Sequence, residues 1–216
     1  PNPGPAPRRR PGATADMSAR HKRRPARSLN RRTGTRRENR RLLVATEGKT
    51  EKEYLEGLMQ SLRPDGMQVT PIDVVDGRGE PSKVLKTAKA RYQSRADDYD
   101  AVWLLLDVDQ HAKLTPVPRE TRHENFSAAV SNPCFEVWLL WHFEDWTREG
   151  SSSEVQHAAR RHGLGKSIPP AFPYTKHPEA KRRASRTPVG ANEIGRNPST
   201  ALPSLLEVIL RNDPKS

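Results

Sequence analysis

Three acidic residues offer chemistry in this sequence: Glu47, Asp107 and Asp109. Asp107 and Asp109 close the stretch Tyr99 to Asp109, YDAVWLLLDVD, in which 101–106 is continuously apolar. A run this short and apolar reads as a strand buried on both faces, as at the centre of a parallel sheet. Residues two apart at a strand end project from one face, so the two carboxylates are expected roughly 6 to 7 Å apart. Carboxylates at the mouth of an apolar sheet repel each other. A divalent cation relieves the repulsion, and Mg²⁺ accepts one or two carboxylates while keeping waters for a phosphate substrate. Two solvated loop acids capping the next element are the competing reading, and the pair alone leaves both open.

The preceding elements decide what else reaches that edge. RLLVAT, 41–46, is a predicted strand running into Glu47-Gly48-Lys49-Thr50-Glu51. Gly48 permits a tight turn, and Thr50 is the expected cap of a helix over 51–63. Tyr54, Leu55, Leu58, Met59 and Leu62 give that helix an apolar stripe. A second strand is expected at 68–75, then a Gly-rich turn at 76–81. A helix at 82–95, capped by Ser82, leads to the central strand. This β-α-β-α-β order predicts an α/β fold with a mainly parallel sheet flanked by helices. Glu47 then shares the carboxyl edge of the sheet with Asp107 and Asp109, where ligand sites of open α/β sheets lie. That constellation is more specific than any one of its members. Gly48-Lys49-Thr50 is not a phosphate-binding P-loop, because Leu43 stands where the upstream glycine is required.

Residues 110–125 contain two prolines and no period, so a loop closing on at most one helical turn is expected, with His111 and His123 as exposed loop residues. A strand at 126–130 and a turn at 131–133 follow. CFEVWLLWHFEDW, 134–146, is hydrophobic nearly all round and is predicted to be one core helix. Glu136 in its first turn is either a helix-dipole cap or a third metal-side acid. Shorter helices are expected at 154–162, 179–186 and 201–211, the last beginning at Asn197-Pro198-Ser199-Thr200. No internal repeat is present.

The net charge of +12 is unevenly distributed. Residues 1–41 hold 14 Lys and Arg against Asp16 and Glu38, so the whole excess lies there and the remainder is neutral. Residues 1–38, poor in large apolar side chains, are expected to be a disordered basic arm. The basic clusters of the arm and of the residues just after it, including Arg23, Arg24, Arg36, Arg37 and Arg40, suit phosphate contact; a solubilising tail is the alternative. The single cysteine, Cys134, excludes a disulfide framework. No apolar run approaches the roughly 20 residues of a membrane helix. A soluble, cytoplasmic protein with no membrane partner is expected. The domain expectation is the arm at 1–38, a core at 39–146, and a helical extension at 147–216 packed on that core.

Five segments together resemble the RloB-like family, which also includes abortive-infection proteins of the AbiLii type. They are LLVATEGKTEKEYLEGL (42–58), VVDGRGEPSKVLKTA (74–88), YDAVWLLLDVDQ (99–110), SNPCFEVWLLWHFED (131–145) and RNPST (196–200). The resemblance implies a Toprim-like, Rossmannoid fold. It implies that Glu47 serves in proton transfer or metal binding and that Asp107 and Asp109 bind Mg²⁺ or Mn²⁺. It also implies a phage-defence role beside a partner ATPase encoded nearby. Gln110 stands where many relatives carry a further acid.

The expected activity is a metal-dependent nuclease acting on RNA, such as transfer RNA, or on DNA. Lys49 is expected to neutralise charge developing on the phosphate. Glu51, Glu136 and Asn132 are outer candidates. A non-catalytic module that binds nucleic acid or docks on the ATPase is the alternative. A primase-like nucleotidyl transfer is a third reading, and a homodimer stays open.

Overall fold

The computed structural model describes residues 1–4, 41–62, 69–77, 79–108 and 116–210. The chain divides into two units, 1–37 and 38–216, and the fold below is that of the second. Asp109, His111 and the arm residues Arg23, Arg24, Arg36, Arg37 and Arg40 lie outside the described residues.

The elements are β1 (Leu42–Thr46), α1 (Lys49–Leu62), β2 (Ile72–Asp76), α2 (Pro81–Ser94), β3 (Ala101–Asp107), α3 (Pro116–His123), β4 (Ser127–Asn132), α4 (Glu136–Leu140), α5 (Ser152–Arg160), α6 (His177–Ala184), β5 (Ser199–Thr200) and α7 (Leu202–Ile209). The strands form one sheet of order β2-β1-β3-β4-β5, in which only β5 is antiparallel to its neighbour. This is an α/β architecture of the Rossmann-like kind.

Alternation along the central strands sorts the core into two faces. Leu42, Val44, Trp103 and Leu105 join the cluster that contains α1, α4, α5, α6 and α7 side chains. Leu43, Ala45, Val102, Leu104 and Leu106 join the cluster on α2 and α3. The run 101–106 is apolar without alternation because helices cover both sides of β3.

Several boundaries depart from the sequence expectation. α1 starts at Lys49, so Thr50 is inside the helix and does not cap it. α2 starts at Pro81 with Glu80 as N-cap, so Ser82 is not the cap. Proline is favoured there because its missing N–H would have been unsatisfied anyway. The same rule explains α3, an eight-residue helix where at most one turn was expected: Pro116 and Pro118 fall in its first turn. Its inward side is held by buried Val117 and Thr121, whose hydroxyl donates to the Val117 carbonyl at 2.6 Å.

The predicted helix over 134–146 is α4, only five residues long, followed by turns. The chain tightens through His142 N–H to Leu139 O and Phe143 N–H to Leu140 O. Trp141 Nε1 then donates to Trp146 O at 3.1 Å, folding the segment back so that both indoles are buried. A straight helix would have left one side of this all-round apolar segment in water. Finally, Ser199–Thr200, expected to start a helix, is the edge strand β5, and the helix α7 follows it. The segment 147–216 therefore contributes a strand to the sheet as well as helices. Among the described residues, no helix is long and apolar enough to cross a membrane.

Candidate active site at the carboxyl edge of the sheet

β1, β3 and β4 are parallel and end together, with Asp107 paired in register with Ser131 and Thr46 with Leu105. Asp107 continues the Trp103 and Leu105 face of β3, the face against which α1 and α4 pack. Glu47 lies one residue past β1. Its carboxylate Oε2 accepts the Asp107 backbone N–H at 3.2 Å, so the two strand ends are linked directly.

The backbone around Glu47 is clamped by the β2–α2 turn. Gly77 N–H donates to Thr46 O at 2.8 Å, and Gly79 N–H donates to Glu47 O at 3.1 Å. Gly77 must be a glycine for steric reasons: a Cβ there would stand 2.7 Å from Val84 Cα and 3.1 Å from Thr46 O. Gly79 has φ +99°, a left-handed conformation that glycine adopts without strain.

Glu51 is the most buried acid of the described residues, at 6% exposure. The inward residues of α1 are Glu51, Tyr54, Leu55, Leu58, Met59 and Leu62, so Glu51 occupies the first position of the apolar stripe. Burial pushes its carboxyl up to about 7. A backbone hydrogen bond within its own residue pulls the other way, and the charges of Glu136, Glu47 and Asp76 add to the rise. Asp107 is held well above the usual carboxylate range, first by burial and then by the charges of Glu51 and Glu136. The Phe135 backbone opposes this, and Glu47 adds to it. Glu136, the first residue of α4, is oriented by Gln156 of α5, whose Nε2 donates to its Oε1 at 3.3 Å. Cys134 is buried; burial pushes its thiol up and the Glu136 and Asp107 charges push it further.

The structure thus brings together Glu47, Glu51, Asp107 and Glu136, with Asp76 of β2 contributing to the same field. Two other expected residues are engaged elsewhere. Lys49 is 70% exposed and pairs with Glu53 along α1 at 2.9 Å. Asn132 Nδ2 donates to Gly195 O at 2.8 Å and so anchors the 195–198 loop. His123 is exposed at the end of α3. Asp76 was not singled out from the sequence, which places it in the turn at 76–81, but it is the last residue of β2.

Hard carboxylate oxygens of this kind are the donors that Mg²⁺ and Mn²⁺ take in general. Among the described residues, no three His, Cys, Asp or Glu side chains stand close enough together to hold a metal ion. The family model for the RloB-like protein matches residues 42–209. The chain belongs to the RloB-like family. That match contains every acid of the site and excludes the basic arm. No curated protein and no solved structure matches the chain.

Proposed function

We propose that this RloB-like protein is a metal-dependent, Toprim-type nuclease that hydrolyses phosphodiesters of RNA, such as transfer RNA, or of DNA. The observation that carries this reading is the Asp107–Glu47 link at the carboxyl edge, with Glu51 and Glu136 gathered on the same face. Glu47 and Asp107, together with Asp109, would hold Mg²⁺ or Mn²⁺. When bound, the ion would supply Lewis-acid polarisation of the phosphate. Glu47 is fixed by the Asp107 N–H, which orients its carboxylate as ligand or general base. Glu51, with its carboxyl raised to about 7, exchanges a proton near neutral pH, where a general acid or base is most effective. Glu136 adds negative charge to the crevice, and Lys49 would have to leave Glu53 to reach a phosphate.

The proposed setting is a cytoplasmic phage-defence or abortive-infection system. The basic arm recruits nucleic acid, and an ATPase encoded nearby is the regulatory partner. Membership of the RloB-like family supports this setting. The second reading is a module that binds nucleic acid or docks on the ATPase without catalysis; the lack of a three-ligand cluster among the described residues favours it. Cleavage assays with Mg²⁺ or Mn²⁺, comparing wild type with Glu47→Gln and Asp107→Asn, separate the two.

A further inference from the structure

β5 enters the sheet where β4 leaves it. Asn132 pairs with Ser199 and Ser131 with Thr200, so residues 195–198 lie at the same carboxyl edge as Asp107. β5 is two strands from β3, a separation of about 10 Å at ordinary strand spacing.

This short surface loop is held at several points. Asn132 Nδ2 donates to Gly195 O at 2.8 Å. The Asn197 amide donates to Gly150 O at 2.7 Å and accepts the Gly150 N–H at 3.3 Å. Thr187 Oγ1 donates to Pro198 O at 2.6 Å. Gly195 is packed so closely that a Cβ would stand 3.0 Å from Val189 Cβ and would collide with the Ser199 side chain. Gly195, Asn197 and Pro198 are all at least half-buried, whereas Arg196 is exposed. Among the described residues, Arg196 makes no hydrogen bond or ion pair. Lys49 and Arg148 are engaged, with Glu53 and Glu154 respectively.

A solvated surface arginine needs no such scaffold. We infer that Arg196 is a substrate-positioning residue that binds a phosphate of the nucleic-acid strand beside the one that is cleaved. This rests on the nuclease reading of the Glu47–Asp107 edge. The guanidinium presents a planar fork of donors that matches phosphate oxygens, and it is carried by a backbone whose position is fixed in advance. A loop that enters a strand two places from β3 suits a neighbouring phosphate better than the reacting one. Loss of the contact therefore weakens substrate binding and leaves the chemical step intact.

The test uses the full chain and fluorescein-labelled single-stranded RNA and DNA oligonucleotides with Mg²⁺ or Mn²⁺. Arg196→Ala is compared with Arg196→Lys and with Arg95→Ala, an exposed arginine at the opposite edge of the sheet. The expected result for Arg196→Ala is a KM rise of about tenfold with kcat changed by less than about twofold. Arg196→Lys recovers part of the loss, and Arg95→Ala behaves as wild type. An unchanged KM in Arg196→Ala, or a fall in kcat alone, overturns the inference while leaving the nuclease reading standing. If wild type cleaves nothing with the proposed ATPase present or absent, the nuclease reading fails, and anisotropy on the same oligonucleotides still decides Arg196. One lost phosphate contact flattens the salt dependence of single-strand binding by about 0.7 of a unit of slope. An unchanged slope overturns the inference.

Discussion

The backbone N–H of Asp107 donates to the side chain of Glu47 across the β1–β3 junction at 3.2 Å. The bond ties the charge of one candidate ligand to the backbone that carries the other. It also makes Glu47→Gln an informative variant. The amide keeps an acceptor oxygen for the Asp107 N–H while losing the negative charge, so an altered activity reports on charge more than on position.

Stability should depend on pH through buried groups of opposite sign, among them Glu51 and His142. Glu51 is raised from 4.5 to about 7, so between those values the folded chain holds a proton that the unfolded chain has released. Its contribution is present at low pH and is lost as pH rises through about 7. His142 is lowered from 6.5 to about 4, chiefly by burial, so the unfolded chain is the one that binds the proton. Its contribution is present above about 6.5 and is lost as pH falls toward about 4. The two slopes oppose each other. Glu51→Gln removes the first, so urea midpoints of the variant should climb relative to wild type between about pH 5 and 7.5, by on the order of 3 kcal/mol in stability. Parallel pH curves for variant and wild type would contradict the burial of a titrating Glu51.

Divalent metal should stabilise the folded chain. A ligand that binds only the folded state at 100 times its Kd adds about 2.7 kcal/mol. In wild type at neutral pH, Mg²⁺ or Mn²⁺ should therefore raise Tm by several degrees, and Asp107→Asn should abolish the shift. Equal shifts in the two proteins would place the ion elsewhere.

Gly77→Ala should be destabilising although alanine is small. The new Cβ would meet the Val84 backbone, which cannot rotate away. Overpacking of this kind costs about 1–3 kcal/mol. Because Gly77 also holds the Thr46 carbonyl beside Glu47, cleavage should fall further than the stability loss alone explains. Thermal unfolding together with single-turnover rates checks both parts.

Much of this architecture is legible in the residue pattern. The buried parallel strand at 101–107 and the placement of Glu47 and Asp107 at one edge follow from an apolar run and β-α-β order. The inward position of Glu51 was also available: the stripe 54-55-58-59-62 extends back one turn to 51, but a helix started at 51 hides this. Three features were not legible. The collapse of 134–146 into a short helix and turns depends on where Trp141 and Trp146 find partners. β5 is two residues long, too short for any period to show, and exists because β4 offers it an edge. Asn132 looked like an outer site residue, but its carboxamide is spent on Gly195, a contact spanning 63 residues of chain. Such long-range pairing leaves no local trace in sequence.

The most direct test of the central claim is cleavage of mixed transfer RNA, single-stranded DNA and duplex DNA, with Mg²⁺ or Mn²⁺ and with the proposed partner ATPase present and absent. Metal-dependent cleavage that is lost in both Glu47→Gln and Asp107→Asn, with folding retained, is the predicted result. Cleavage that persists in both variants, or none from folded wild-type protein with the proposed ATPase present or absent, would contradict a catalytic role for the Glu47–Asp107 edge.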